Sequence, residues 1–223
     1  MKNTYKVLFS FSILVFVTSC SSYKSTNNEL DALLVATQQT MKQLAEKMPT
    51  TEKDSLTTAF TKLEEKSKEL FPVLVNCNKK YKLTKNYMTT LEEAQKALAR
   101  LAENFDNTAN KDFIINAIYL DYDAKLKSIT SSATSDANTK IKVTVDSNED
   151  EGFFVFGKLS YEQELAIKRF RFNRPTQNAS LDVVPGYYLF WLEKDGRVGT
   201  PELHLIRSDG SDEAKKLVLK TPK

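Results

Sequence analysis

The hydrophobic pattern of this chain changes period once, and that change limits the fold more than any other feature. From about Asn28 to about Ser131, apolar residues recur every three or four positions, as on one face of an α-helix. From Ile141 onward, apolar and polar residues alternate, which is typical of half-buried β-strands. The pattern predicts an α+β protein: N-terminal antiparallel helical hairpins or a small bundle, followed by a C-terminal antiparallel β-sandwich.

Four amphipathic segments make up the predicted helical part. Pro49 stops the first, and Pro72 is expected to kink or end the second, because proline inside a helix removes a backbone hydrogen bond. The lysine- and asparagine-rich stretch 76–86 is predicted to be a loop or a frayed helix end. The third segment is expected to open with a capping box at Thr90–Glu93, and the fourth to start near Asp112. Short breaks between the segments favour antiparallel packing.

Seven short strands are predicted in the last part of the chain, which suggests an antiparallel β-sandwich. Within it, Pro185-Gly186 forms a turn signal just before a strand rich in tyrosine. The stretch Leu181–Trp191 thereby resembles the late hairpin of immunoglobulin-like, fibronectin-like or carboxypeptidase-regulatory-like domains. The resemblance covers few residues and implies the fold, without implying an activity.

The first twenty residues carry a second resemblance. Lys2 and Lys6 precede an apolar run over 7–17, and Val17–Cys20 follows. The run is about half of the roughly 20 residues needed to span a bilayer. This order resembles the signal peptide and lipobox of bacterial lipoproteins; the alternative is a retained membrane anchor or a buried N-terminal helix. The resemblance implies cleavage before Cys20, diacylglycerol on its sulfur and usually acylation of its new amino group, which suffices for stable membrane attachment.

These patterns divide the chain into five predicted parts. They are a signal peptide (1–19), the lipidated cysteine with a flexible polar tether (20–28), a helical domain (29–131), a linker (132–139) and a β-sandwich domain (140–223). Neither an aspartate nor an acidic run follows Cys20. By resemblance, this favours the outer membrane of the cell envelope, with the body of the protein in the periplasm.

The charge balance gives no reason to expect a nucleic-acid partner. The chain has 32 lysines and arginines and 29 acidic residues, and the signal segment contains two of the lysines and no acid. The mature chain is therefore close to neutral, with mixed signs. No glycine-rich phosphate loop is present, and we expect no cofactor.

Candidate chemical groups are few. If Cys20 carries lipid, Cys77 has no cysteine to pair with, and we expect a buried or idle thiol. A catalytic role for Cys77 would need His204, the single histidine, which is expected to be exposed and to point with Glu202 away from the core. The loop Asp146–Gly152 has oxygen ligands at alternate positions, but it lacks the glutamate at the twelfth position of an EF-hand. An acidic hairpin tip is expected there, and calcium binding is the alternative.

Trp191 and Tyr187 are the candidate binding surface. They share one face of a strand with Leu189, while Tyr188 and Phe190 lie on the other face. Because both faces are apolar, a central strand covered on both sides is expected, with Trp191 in the core. The alternative is an aromatic platform for sugar or peptide.

The sequence predicts a membrane-anchored envelope lipoprotein that is not an enzyme. It would act as a scaffold or protein-binding module, attached through lipid on Cys20, with another envelope protein as partner. One alternative is a carbohydrate- or cell-wall-binding lipoprotein, which requires an exposed aromatic row. Another is a hydrolase acting on wall or glycan through carboxylates, which requires a cleft between the two domains lined by acids.

Overall fold

The predicted α+β layout is confirmed. A computed structural model describes residues 26–49, 55–132, 136–148, 152–162, 169–208 and 214–222. Helices occupy the N-terminal part of the described chain and β-sheets the C-terminal part. The four helices are α1 (Asn27–Ala45), α2 (Ser55–Tyr81), α3 (Lys85–Glu103) and α4 (Lys111–Ser131).

α1 begins at a capping box that the sequence analysis did not identify. The Thr26 hydroxyl accepts a hydrogen bond from the Glu29 backbone N–H, and the Glu29 carboxylate accepts one from the Thr26 N–H. Two backbone donors that a helix start leaves free are thereby satisfied. The N-terminal boundary of α1 is therefore set by local side-chain chemistry.

α2 continues through Pro72 to Tyr81, so the expectation that this proline ends the helix was wrong. The predicted loop at 76–86 was wrong for the same reason, since most of it belongs to α2 and α3. Leu74 and Cys77, which follow the proline, are buried in the helical core. Burial of the segment outweighs the hydrogen bond that Pro72 cannot donate, because tertiary packing supplies most helical stability in proteins.

α3 begins at Lys85, and its N-cap is Thr84, whose hydroxyl accepts from the Tyr87 N–H. The capping box predicted at Thr90–Glu93 was therefore wrong. Thr90 lies inside the helix and donates its hydroxyl to the Tyr87 carbonyl. Threonine can bond back to the preceding turn in this way, so the capping-box pattern also occurs within helices.

In the described part of the chain, eight strands form two sheets. The first sheet has the order β4-β1-β8, and the second has β3-β2-β5, with β6 and β7 both pairing the far edge of β5. The β1–β8 ladder is parallel, in contrast to the antiparallel pairing predicted, while the other described ladders are antiparallel. The strands are β1 (Ile141–Ser147), β2 (Phe154–Leu159), β3 (Phe170–Arg171), β4 (Ala179–Val183), β5 (Gly186–Lys194), β6 (Arg197–Val198), β7 (Glu202–Ile206) and β8 (Lys215–Leu219).

The two sheets enclose one apolar core, to which Val143 and Leu217 contribute from the first sheet and Val155 and Phe190 from the second. β5 is the central strand of the second sheet, and its other face packs on the helices through Tyr187. A strand with two apolar faces was predicted here, and the position of β5 explains why both faces are apolar.

The helical core extends into the β part. Tyr161 and Val184 belong to the same buried cluster as the helices, and α4 contacts both β5 and β7. Burial is therefore continuous across the boundary between the helices and the sheets.

Replacing Pro72 tests how α2 accommodates this residue. We expect Pro72→Ala to raise the free energy of unfolding by about 1–3 kcal/mol, because alanine restores a helical N–H and has higher helix propensity. Lys68→Ala, one turn earlier on the exposed face of α2, is the control and should change stability by less than about 0.5 kcal/mol. Urea unfolding measures the stability of both variants. A Pro72→Ala protein no more stable than Lys68→Ala would contradict the expected cost of the proline to α2.

Candidate functional site

The helices and the sheets meet at a buried ion pair on α4. Asp121 and Lys125 lie one helical turn apart with no solvent exposure, and the Lys125 Nζ donates to Asp121 Oδ2 at 2.7 Å. The same Nζ donates to the Pro185 carbonyl at 3.1 Å, while Asp121 Oδ1 accepts from the Tyr187 backbone N–H at 3.4 Å. The pair thus forms hydrogen bonds with the backbone of Pro185 and Tyr187, which flank Gly186, the first residue of β5. We call this contact the joint.

Gly186 fits the joint because it has no side chain. A Cβ added there would stand 2.5 Å from Asp121 Oδ1. Any residue other than glycine at position 186 would therefore prevent this close approach of the β5 backbone to the carboxylate. The Pro185-Gly186 pair, noticed in the sequence as a turn signal, has a second role as the contact point with α4.

Burial acts on the pKa of both members of the pair. It raises the pKa of Asp121, with Lys125 and the hydrogen bond from Tyr187 opposing the rise. It lowers the pKa of Lys125, with Asp121 opposing the fall. Removal from water disfavours each charge, so each ionised group depends on its partner and on the β5 backbone.

Four buried tyrosines surround the joint: Tyr87, Tyr122, Tyr161 and Tyr188. Burial raises the pKa of each phenol, and the negative charge of Asp121 raises it further. Tyr161 donates to the Thr90 carbonyl at 3.0 Å, and Tyr188 donates to the Val184 carbonyl at 2.8 Å. All four phenols therefore remain neutral at physiological pH, and Tyr161 and Tyr188 act as hydrogen-bond donors, whereas the buried Tyr87 hydroxyl has no hydrogen-bond partner among the described residues.

A second charged contact joins the helices to the end of β7. The Asp123 carboxylate, on α4, lies 2.8 Å from Lys127 Nζ, 3.4 Å from Lys66 Nζ on α2 and 3.6 Å from Arg207. Lys127 and Arg207 are partly exposed, so solvent screens these contacts more than it screens the joint. The network supports the same arrangement of α2, α4 and β7.

A cleft of about 740 Å³ lies between the α3–α4 corner and the end of β2. Asn104, Asn107 and Asn110 give it amide groups, and Phe113 places a 40% exposed ring at its margin. Ser160 lines it with a buried hydroxyl that has no hydrogen-bond partner. The amides, the hydroxyl and the apolar ring suit a hydroxyl-rich ligand, beside the Arg100–Glu162 ion pair that also lines the cleft.

A second cleft, of about 550 Å³, lies between α3 and the sandwich. Three acids line it: Glu93, Glu162 and Asp182. Glu93 lies 3.2 Å from Lys96 Nζ, and Glu162 lies 3.1 Å from Arg100. The acid-lined cleft required by the hydrolase alternative is therefore present, with two of its three carboxylates in ion pairs.

The structure buries the candidate binding residues Trp191 and Tyr187 wholly or in part. Cys20 lies outside the described residues. Trp191 is 1% exposed, stacks on Phe156 at 6.0 Å and donates its Nε1–H to Glu193. Tyr187 is half-buried against the helical core. These two residues do not form the exposed aromatic row that the platform alternative requires.

His204 lies on the opposite face from the one predicted. It stands across from Tyr188 in the β5–β7 ladder, on the side of the sandwich core, and its ring lies 6.0 Å from that of Phe190. Leu203 is the exposed residue instead. The prediction was wrong because β7 has apolar residues on both faces. Leu203 and Leu205 lie on the face away from the sandwich core, so their hydrophobic character does not show which face points inward. Burial lowers the pKa of His204, although Glu202 opposes the fall.

The remaining candidates carry little chemistry in the part of the chain that the structure describes. Cys77 is buried, and burial raises the pKa of its thiol, which disfavours a reactive thiolate. The predicted acidic tip Asp146–Gly152 lies partly outside the described residues, so the hairpin tip stays a prediction, with calcium binding as its alternative. Within the described ranges, no group of three or more metal-ligating side chains occurs. No described helix has the length and apolar character needed to cross a membrane.

Comparisons with family models, with curated proteins and with solved structures found no match. Sequence reasoning missed the joint, although Asp121 and Lys125 interrupt the apolar pattern of α4 at a spacing of four residues. That interruption is the signal that could have identified the pair.

Breaking the joint should cost more than removing an exposed lysine. Lys125→Met leaves the Asp121 carboxylate buried without its partner and should lower the free energy of unfolding by about 3–5 kcal/mol. In Asp121→Asn/Lys125→Met, the amide still accepts from Tyr187 and no charge is buried, so much of the loss should be recovered. Urea unfolding at neutral pH measures all variants.

Lys127→Met is the matched control, because Lys127 lies two residues further along α4 and is half exposed. It should cost less than about 1 kcal/mol. The role assigned to the joint would be contradicted by a Lys125→Met protein as stable as the Lys127→Met protein.

Proposed function

We propose that this protein is a lipid-anchored envelope protein that is not an enzyme and acts as a scaffold for a partner protein. The observation that carries the proposal is the joint. A fully buried ion pair contributes little net stability, but it disfavours arrangements that leave either charge unpaired. A scaffold requires such a fixed relation between its surfaces.

The lipobox-like segment supports attachment through Cys20 to the outer membrane, facing the periplasm. Cys20 stands seven positions before Asn27, the first residue of α1. Whatever its conformation, that segment spans at most about 25 Å. The body of the protein would therefore be held close to the membrane.

The first sheet offers a surface for a partner from the envelope. β8 pairs with β1, and no second ladder is found on its other edge among the described residues. Val218, which alternates with the buried Leu217 and Leu219 along β8, is 62% exposed. An open strand edge beside an exposed apolar side chain suits a protein partner that adds a strand.

Lipidation at Cys20 is the part of the proposal that can be tested most simply. We expect cells fed labelled palmitate to label the unmodified protein, which should remain with membranes after a salt wash. Cys20→Ala should abolish both the label and the membrane association, whereas Cys77→Ala should preserve both. Retention of Cys20→Ala in washed membranes would contradict the proposed anchor.

The first cleft favours a second candidate function, the binding of wall glycan. Its amide side chains and the Ser160 hydroxyl match the hydroxyl and amide groups of such a polymer, and Phe113 adds an apolar surface. This candidate is compatible with anchoring, since a membrane-held protein would meet the wall.

Sedimentation with purified peptidoglycan tests this candidate. Asn107→Ala/Phe113→Ala should raise the Kd for peptidoglycan about fivefold, as expected for losing roughly 1 kcal/mol of contact. Val218→Ala, an exposed apolar residue elsewhere, should leave binding unchanged. Equal binding by both variants would exclude this cleft as the binding site. If the protein instead released soluble sugar from peptidoglycan, and Glu162→Gln abolished that release, the hydrolase alternative would be favoured.

A further inference from the structure

Five lysines lie around the corner where α2 ends and α3 begins. We call this group the basic end; it comprises Lys79, Lys80, Lys82, Lys85 and Lys140. The segment that leads to Lys140 is attached to the corner through Asn138, whose side chain donates to the Lys82 carbonyl and accepts from the Thr84 N–H. All of these lysines except Lys82, which is half-buried, are exposed.

Two acidic residues at this end are engaged in local caps. Glu29 accepts from the Thr26 N–H at 2.7 Å, and Asp136 accepts from the Asn138 N–H at 2.9 Å. Asp31, one turn along α1, is exposed. Lys140 also lines the second cleft, which contains Glu93 and Asp182. The other four lysines still outnumber the three carboxylates beside the corner, so the corner is positive, although the mature chain is nearly neutral.

The chain from Cys20 enters the fold at this same end. The Asn27 side-chain oxygen accepts from Asn78 Nδ2 at 3.1 Å and from Lys82 Nζ at 3.0 Å. The start of α1 is thus fixed to the corner that carries the lysines. With at most about 25 Å between Cys20 and Asn27, these lysines lie at the end of the fold that is tethered most closely to Cys20.

We propose that the basic end contacts the anionic phospholipid headgroups of the leaflet in which the acyl chains of Cys20 are inserted. The inference rests on the proposed lipidation of Cys20 and adds an orientation to it. An acyl anchor keeps the lysines at high local concentration near the headgroups, so even weak attraction to anionic lipid becomes effective. α1 and α2 would then extend away from the surface, placing their other ends about 28 Å or more from the corner.

Lysine labelling of the lipidated protein tests this orientation. The purified protein is placed in vesicles of phosphatidylglycerol and phosphatidylethanolamine, or in neutral phosphatidylcholine vesicles, and treated with a water-soluble acylating reagent. Lys79, Lys80, Lys85 and Lys140 should react about fivefold more slowly on the anionic vesicles, and high salt should remove the difference. Lys42, Lys62 and Lys68, which are exposed on other parts of α1 and α2, should react equally on both.

Two charge-reversed variants provide the matched control. Lys79→Glu/Lys80→Glu/Lys85→Glu should abolish the protection of Lys140, whereas Lys42→Glu/Lys62→Glu/Lys68→Glu should preserve it. Equal labelling of the two lysine groups on anionic vesicles would overturn the proposed orientation. Mass analysis of the Cys20 peptide in the same samples reports lipidation separately, so an unlipidated Cys20 would overturn the anchor rather than the basic end.

Discussion

The Asp121–Lys125 ion pair is the contact on which the arrangement of this protein depends. Both charges are removed from water, and each is satisfied partly by the other and partly by the backbone on either side of Gly186. α4 would bury two poorly satisfied charges if β5 were displaced, and such a displacement is strongly disfavoured. The pair therefore specifies where the sheet sits on the helices more than it adds to total stability.

Other features of the structure follow from that position. β2 pairs with β5, so the Ser160–Glu162 segment after β2 is placed against α3, and both clefts form there. The α2–α3 corner, at the start of α3, carries the basic end and holds the start of α1 through Asn27. The clefts and the corner that carries the basic end thus belong to one folded body, in which α4 and β5 are held together by the joint.

Local patterns in the sequence predicted the existence of the helices and strands better than where they end or how the strands pair. The apolar stripes predicted four helices, yet burial after Pro72 and the bond from Thr90 to Tyr87 overrode two local stop and start signals. The two apolar faces of β5 were evident from its residues. The parallel β1–β8 ladder, the inner face of β7 at His204 and the joint depend on segments far apart in the chain, which periodicity does not relate.

Urea unfolding of the protein, followed by two signals in one titration, tests the central claim most directly. The single tryptophan, Trp191, is buried in the β part, so its fluorescence reports the sheets, while far-ultraviolet circular dichroism reports mainly the helices. If the joint makes the helices and sheets one cooperative body, the two transitions will coincide. Two separate transitions, with the helices and the sheets unfolding at different urea concentrations, would contradict the account.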